Sequence, residues 1–202
     1  SATNMENCNP NSVPSTMLAL GSDPDGAPMD ESWGYSSIIG MLLYLSTNTR
    51  PDISYAVSQA ARFTSNPKQS HAKAVKTIVR YLYKTRTFGT TFKPSNDLSL
   101  DLYCDADFAG LHKREPDELR DSVRSRSGYI ILLAGCPLLW KSQLQTEISM
   151  STLEAEYSAL SYSLKTLLPL KLLLLEVVTS LHLPSPLVAT IQARVFEDNQ
   201  GA

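Results

Sequence analysis

The chain has 202 residues, 43% of them apolar, and a formal net charge of −2. That length and apolar share suit one or two small packed domains and exclude wholesale disorder, while the charge gives no global attraction to nucleic acid. No apolar run is long enough for a membrane span: Leu167 to Leu175 comes closest, at about half the required length, and it holds Pro169 and Lys171.

Residues 1–34, rich in Asn, Pro, Ser, Asp and Gly, read as a flexible linker. Residues 35–97 turn helical. Ser36 and Ser37 precede the apolar run Ile38 to Leu45. TRPDISYAVSQAARF opens with Pro51, favoured in a first helical turn, and Asp52, favourable beside the helix dipole. Ile53, Val57, Ala60 and Phe63 then recur at helical spacing. Ser70 is the predicted N-cap of HAKAVKTIVRYLYKT, whose stripe is Ala74, Val75, Ile78 and Leu82.

From residue 98 the period changes to two. Leu98, Leu100, Leu102 and Cys104 alternate with Ser99, Asp101, Tyr103 and Asp105, which predicts a strand. The charged run LHKREPDELRDSVRSR reads as a solvated loop, with substrate contact by Lys113, Arg114, Arg124 or Arg126 as the alternative. Tyr129 to Leu133 and Leu138 to Ser142 are the next predicted strands, with a turn at Gly135 and Pro137. A helix is expected from Ser151 to Val178, kinked or broken at Pro169. Ile191 to Phe196 closes the series as a fourth strand. Three consecutive strands, a helix and a strand predict an α/β fold with a mixed sheet and a right-handed crossover.

Cys8, Cys104 and Cys136 are odd in number and far apart, and show neither a disulfide framework nor metal-ligand spacing. Cys104 reads as a small core residue. His71, His112 and His182 read as surface or structural, so no histidine nucleophile system competes with the acids. The sequence starts at Ser1, which suits a fragment or an N-terminally processed product.

Three acidic segments stand out: YCDADFAG, STLEAEYSAL and VFEDNQGA. Asp105 and Asp198 each end a predicted strand, where an aspartate also serves as an ordinary turn residue. Asp107 has the same parity as Asp105, so alternation does not separate them. The glutamates do separate. Ser151 and Glu154 match a capping box, which accounts for Glu154. Glu156 has Leu153, Leu160 and Leu164 on its side of the helix, and a carboxylate there needs a partner or a route to water. Asp105, Glu156 and Asp198 would gather at one sheet edge and share divalent metal.

In order, spacing and flanking residues, about residues 35–202 resemble copia-type retrotransposon polyproteins. YSSIIGMLLYLSTNTRPDISYAVSQAARFTSNPKQSHAKAVKTIVRYL is similar to their connection segment. LDLYCDADFAG, SRSGYIILLAGCPLLWKSQLQTEISMSTLEAEYSAL and EDNQGA are similar to successive pieces of their ribonuclease H domain. The resemblance implies a linker over 1–34, a helical connection segment over 35–97 and a ribonuclease H-like mixed sheet over 98–202, incomplete at its C-terminus. It implies that Asp105, Glu156 and Asp198 are catalytic and bind Mg²⁺, two ions roughly 4 Å apart, to hydrolyse the RNA strand of an RNA–DNA hybrid. The family carries a fourth carboxylate downstream of Asn-Gln-Gly, where this sequence ends, so weak or no cleavage is expected. No Tyr-x-Asp-Asp motif occurs, which excludes polymerisation.

Similar fragments also occur among proteins labelled secreted RxLR effectors of oomycete plant pathogens. That implies an alternative: translocation into a host cell and action there by binding a host protein, without catalysis. A retrotransposon product would instead work in cytoplasm or nucleus. No Arg-x-Leu-Arg tetrad is present, and Arg80-Tyr81-Leu82-Tyr83 is a degenerate match inside a predicted helix. Apolar surface left uncovered at the truncated edge is expected to invite self-association.

Overall fold

The computed structural model describes residues 9–16, 18–30, 32–112, 115–116 and 120–198. The chain forms two compact units, residues 1–89 with 110–123, and residues 90–109 with 124–202.

The first unit is helical. α1 (Tyr35–Asn48), α2 (Ser54–Ala61) and α3 (Gln69–Lys84) pack around Ile38, Leu42, Ile53, Val57, Val75 and Ile78. The Tyr35 hydroxyl donates to the Ala60 carbonyl at 2.8 Å inside this core. Arg50 ties the turn before α2 to the end of α3: it pairs with Asp52 at 2.7 Å and donates to Thr85 Oγ1 at 2.6 Å. Arg80 to Tyr83 lie within α3, where Arg80 donates to the Asn9 carbonyl and Tyr81 to Asp52. Those partners give that tetrad a structural role.

Two expectations for this unit are corrected. Lys68, not Ser70, occupies the cap position of α3. The Lys68 N–H donates to Nδ1 of His71 at 2.9 Å, while the Ser70 hydroxyl is taken by Asp23 at 2.5 Å. The charged run after residue 110 is not simply solvated. Glu115 is 5% exposed because its carboxylate accepts from Arg62 at 2.6 Å and from the Ser22 N–H at 2.9 Å.

Where a linker is expected, the described residues are pinned to the helices. The Leu20 N–H donates to Gln59, His71 Nε2–H donates to the Gly21 carbonyl, and Pro28 bridges to Lys68. Residues 1–8 of that stretch lie outside the described residues.

The second unit is a four-stranded mixed sheet in the order β3-β2-β1-β4, with β1 Leu100–Asp107, β2 Arg126–Leu133, β3 Cys136–Leu144 and β4 Ala193–Phe196. β2 is antiparallel to both neighbours, and β1 runs parallel to β4. Ala134 and Gly135, both with positive φ, make the tight turn between β2 and β3, the conformation that favours glycine. α4 (Thr152–Ser180) crosses from β3 to β4, and a short α5 (Ser185–Val188) follows.

Alternation in β1 works as expected. Leu100, Leu102 and Cys104 face α4 and form a core with Ile131 and Leu167. Each fully buried leucine there contributes about 2 kcal/mol. α4 continues through Pro169, so of the kink or break expected there the break does not occur. The proline removes one N–H, but Leu167 before it and Leu170 and Leu174 after it pack on the same sheet core, which holds the helix together across it. Among the described residues no helix is long and apolar enough to cross a membrane.

Candidate metal centre

Because β1 and β4 are parallel neighbours, their C-terminal ends lie at the same sheet edge. Side chains alternate between faces along each strand, so every second rung shares a face. On one face, Asp101 accepts both arms of the Arg194 guanidinium, at 2.6 and 2.8 Å. Two rungs on, the rings of Tyr103 and Phe196 stack at 4.7 Å between centroids. Asp105 and Asp198 come next. An ion pair and an aromatic stack thus fix the two strand ends just before the carboxylates.

Glu156 arrives from α4. Ser151 caps that helix by accepting the Glu154 N–H at 3.1 Å. The Glu154 carboxylate accepts the Met150 N–H at 2.6 Å, one residue before the cap N–H expected for it, and so serves the helix start. Glu156 lies on the buried side with Ala155 and Ala159 and is 8% exposed. One carboxylate oxygen from each of Asp105, Glu156 and Asp198 lies within 4.8 Å of the others. The structure therefore brings together all three sequence-predicted site residues.

It also separates what alternation left open. Asp107 stands opposite Arg126 in the β1–β2 ladder, and Asp105 joins the cluster. Desolvation raises the Asp107 carboxyl, and Arg126 opposes that rise. Of the basic residues considered for substrate contact, Lys113 and Arg114 lie outside the described residues. Arg124 donates to the Thr146 carbonyl at 2.8 Å, and Arg126 is buried in β2.

Burial pushes the Glu156 carboxyl above its ordinary range, and Asp105, Glu197 and Asp198 add to the rise, against the Ala106 backbone N–H. Its Oε2 is buried and has no hydrogen-bond partner among the described residues. A carboxylate oxygen placed so is costly unless something positive meets it. Three carboxylates form an all-oxygen donor set, which suits Mg²⁺ and other hard divalent cations better than soft metals. The orphaned oxygen and the donor chemistry agree, and the residues fit such an ion.

Glu197 was missed from the sequence. Its charge acts on both Glu156 and Cys104, and the signal was its place directly before Asp198. Cys104, buried beside the acids, has its thiol pushed up to about 11, by burial first and then by Glu197, Glu156 and Asp105. His71 is structural: it is fully buried, stacked on Phe63 at 3.9 Å, and burial lowers its pKa.

Several known proteins are similar to this chain. A protein of transposon Ty5-1 in Saccharomyces cerevisiae is 39% identical over 124 residues, 61% of this chain and 38% of that protein. The retrovirus-related Pol polyprotein from transposon RE1 of Arabidopsis thaliana is 39% identical over 149 residues, 74% of this chain and 9% of the polyprotein. Secreted RxLR effector protein 161 of Plasmopara viticola is 39% identical over 127 residues, 63% of this chain and 84% of the effector. The chain thus spans well under half of the two transposon proteins. No family model matches the chain, and no solved structure matches it.

Proposed function

The chain is homologous to a segment of copia-type retrotransposon Pol polyproteins, and from that premise we propose that residues 98–202 are a ribonuclease H-like domain whose Asp105, Glu156 and Asp198 hold Mg²⁺ for cutting the RNA strand of an RNA–DNA hybrid. The observation that carries this reading is the convergence of three carboxylates from β1, α4 and the end of β4, with one Glu156 oxygen buried and unpartnered. When bound, the metal supplies an activated water and neutralises charge on the leaving oxygen. The protein's part is to hold the ligands. The parallel pairing of β1 with β4 supports the approach of Asp105 and Asp198, and the start of α4 carries the buried Glu156 to the same group. The hybrid is recognised by backbone and 2′-OH contacts, without base readout.

The test is Mg²⁺-dependent cleavage of a labelled RNA–DNA hybrid by this chain, with Glu156→Gln as control. Mg²⁺ binding with weak or no cleavage is expected, and the substitution should abolish both the binding and any cleavage. The absence of both cleavage and Mg²⁺ binding would overturn the reading, and so would cleavage untouched by Glu156→Gln.

A second reading has its own support. The chain covers 84% of a protein named as a secreted RxLR effector, far more than it covers of the polyproteins. In that reading the same fold binds a host protein and performs no catalysis. Capture of one defined host protein, unchanged by Glu156→Gln, would favour it.

A further inference from the structure

The outer side of α4 repeats itself in reverse. Lys165, Leu168, Pro169, Leu172, Leu173 and Glu176 are all exposed, with Leu168, Leu172 and Leu173 at 55%, 68% and 55%. Their spacing of three and four residues puts them on one face. The pattern is symmetric about the midpoint between Leu170 and Lys171: two apolar pairs inside, a positive charge at one end and a negative charge at the other. No ion pair among the described residues involves Lys165 or Glu176. Meanwhile Leu167, Leu170 and Leu174 cover the sheet from the same turns. Apart from Lys171, the helix here is thus apolar on its outer side as well as on its sheet side, yet only the sheet side is covered.

We propose that this face is an interface between two copies of the chain, paired as antiparallel α4 helices about a two-fold axis between Leu170 and Lys171. In that arrangement Lys165 of each copy meets Glu176 of the other, and Leu168 and Pro169 of each meet Leu173 and Leu172 of the other. A two-fold interface requires a surface complementary to itself. This face meets that requirement in both shape of pattern and sign of charge. The matched stretch is about 16 Å long, which suits a reversible dimer and not an obligate one.

The experiment is sedimentation velocity of the full chain over a range of concentrations. Four proteins are compared: the unaltered chain, Lys165→Glu, Glu176→Lys and the double reversal. Circular dichroism checks that each folds, as exposed positions should allow. The unaltered chain is expected to dimerise. Each single reversal sets like charges against each other at both ends and should raise the dimer dissociation constant roughly tenfold. The double reversal restores pairing, and so does mixing the two single variants, because each then meets its opposite. A chain that stays monomeric at every concentration overturns the proposal and leaves the face to another partner. So does a dimer that the single reversals leave unchanged, or one that the mixture fails to restore.

Discussion

Asp105 and Asp198 each lie two residues beyond Tyr103 and Phe196, the last pair of the β1–β4 ladder, and carboxylate oxygens of the two lie within 4.8 Å of each other. The parallel pairing brings the ends of β1 and β4 together, so two acids 93 residues apart in sequence become neighbours. Glu156 closes the group from α4.

That grouping has a measurable cost and a measurable remedy. Mutual repulsion destabilises the metal-free fold, and Mg²⁺ that binds only the folded state stabilises it by about 2.7 kcal/mol at one hundred times its dissociation constant. Glu156→Gln should remove this gain. Glu154→Gln should keep it and cost about 1 kcal/mol or less, because that side chain serves the helix start. Thermal unfolding with and without Mg²⁺ distinguishes them. A Mg²⁺ effect that survives Glu156→Gln would place the site elsewhere.

Acid should help the metal-free protein over a defined range. The folded Glu156 carboxyl is raised above its ordinary 4.5, so the folded state keeps that proton to higher pH than the unfolded chain. Its contribution is fully present below 4.5 and is lost as pH rises through the folded value. Chelator-treated protein should therefore lose stability across that window in urea titrations, and Glu156→Gln should flatten the decline. A decline of equal slope in the variant would assign the effect to other groups.

Arg62→Met should be among the most damaging single changes in the helical unit. The Glu115 side chain is 1% exposed and depends on Arg62 for charge balance. Leaving that carboxylate buried and uncompensated costs about 3–5 kcal/mol. Replacing both, by Arg62→Met with Glu115→Leu, should recover much of the loss. Equilibrium unfolding of the three variants measures this, and a loss near zero for Arg62→Met would mean water reaches Glu115.

Cys104 should resist thiol reagents in the folded protein. With its thiol pushed up to about 11, it holds about one part in a thousand as thiolate at pH 8, and the thiolate is the reactive form. Peptide mapping after brief alkylation should find Cys104 labelled in urea and largely unlabelled without it. Fast native labelling would show that the strand end opens.

Periodicity carries across a few residues, and what it reached was legible in the sequence. The alternation of Leu100, Leu102 and Cys104 announced β1, and the run of strands, helix and strand announced a mixed sheet. Helix geometry alone told Glu156 from Glu154, because a capping motif and an apolar stripe are both local patterns. Contacts between distant segments were not legible. Only the folded chain set Asp107 against Arg126 and Asp105 toward the other acids, since both aspartates share a parity and differ only in their cross-strand neighbours. Only the fold buried Glu115 beneath Arg62, gave the Ser70 hydroxyl to Asp23, and carried α4 through Pro169. In each case a partner tens of residues away outweighed the local preference. A buried charge, a hydroxyl or a helix half is placed by whatever the fold brings within a few ångströms of it, and no short window of sequence contains that information.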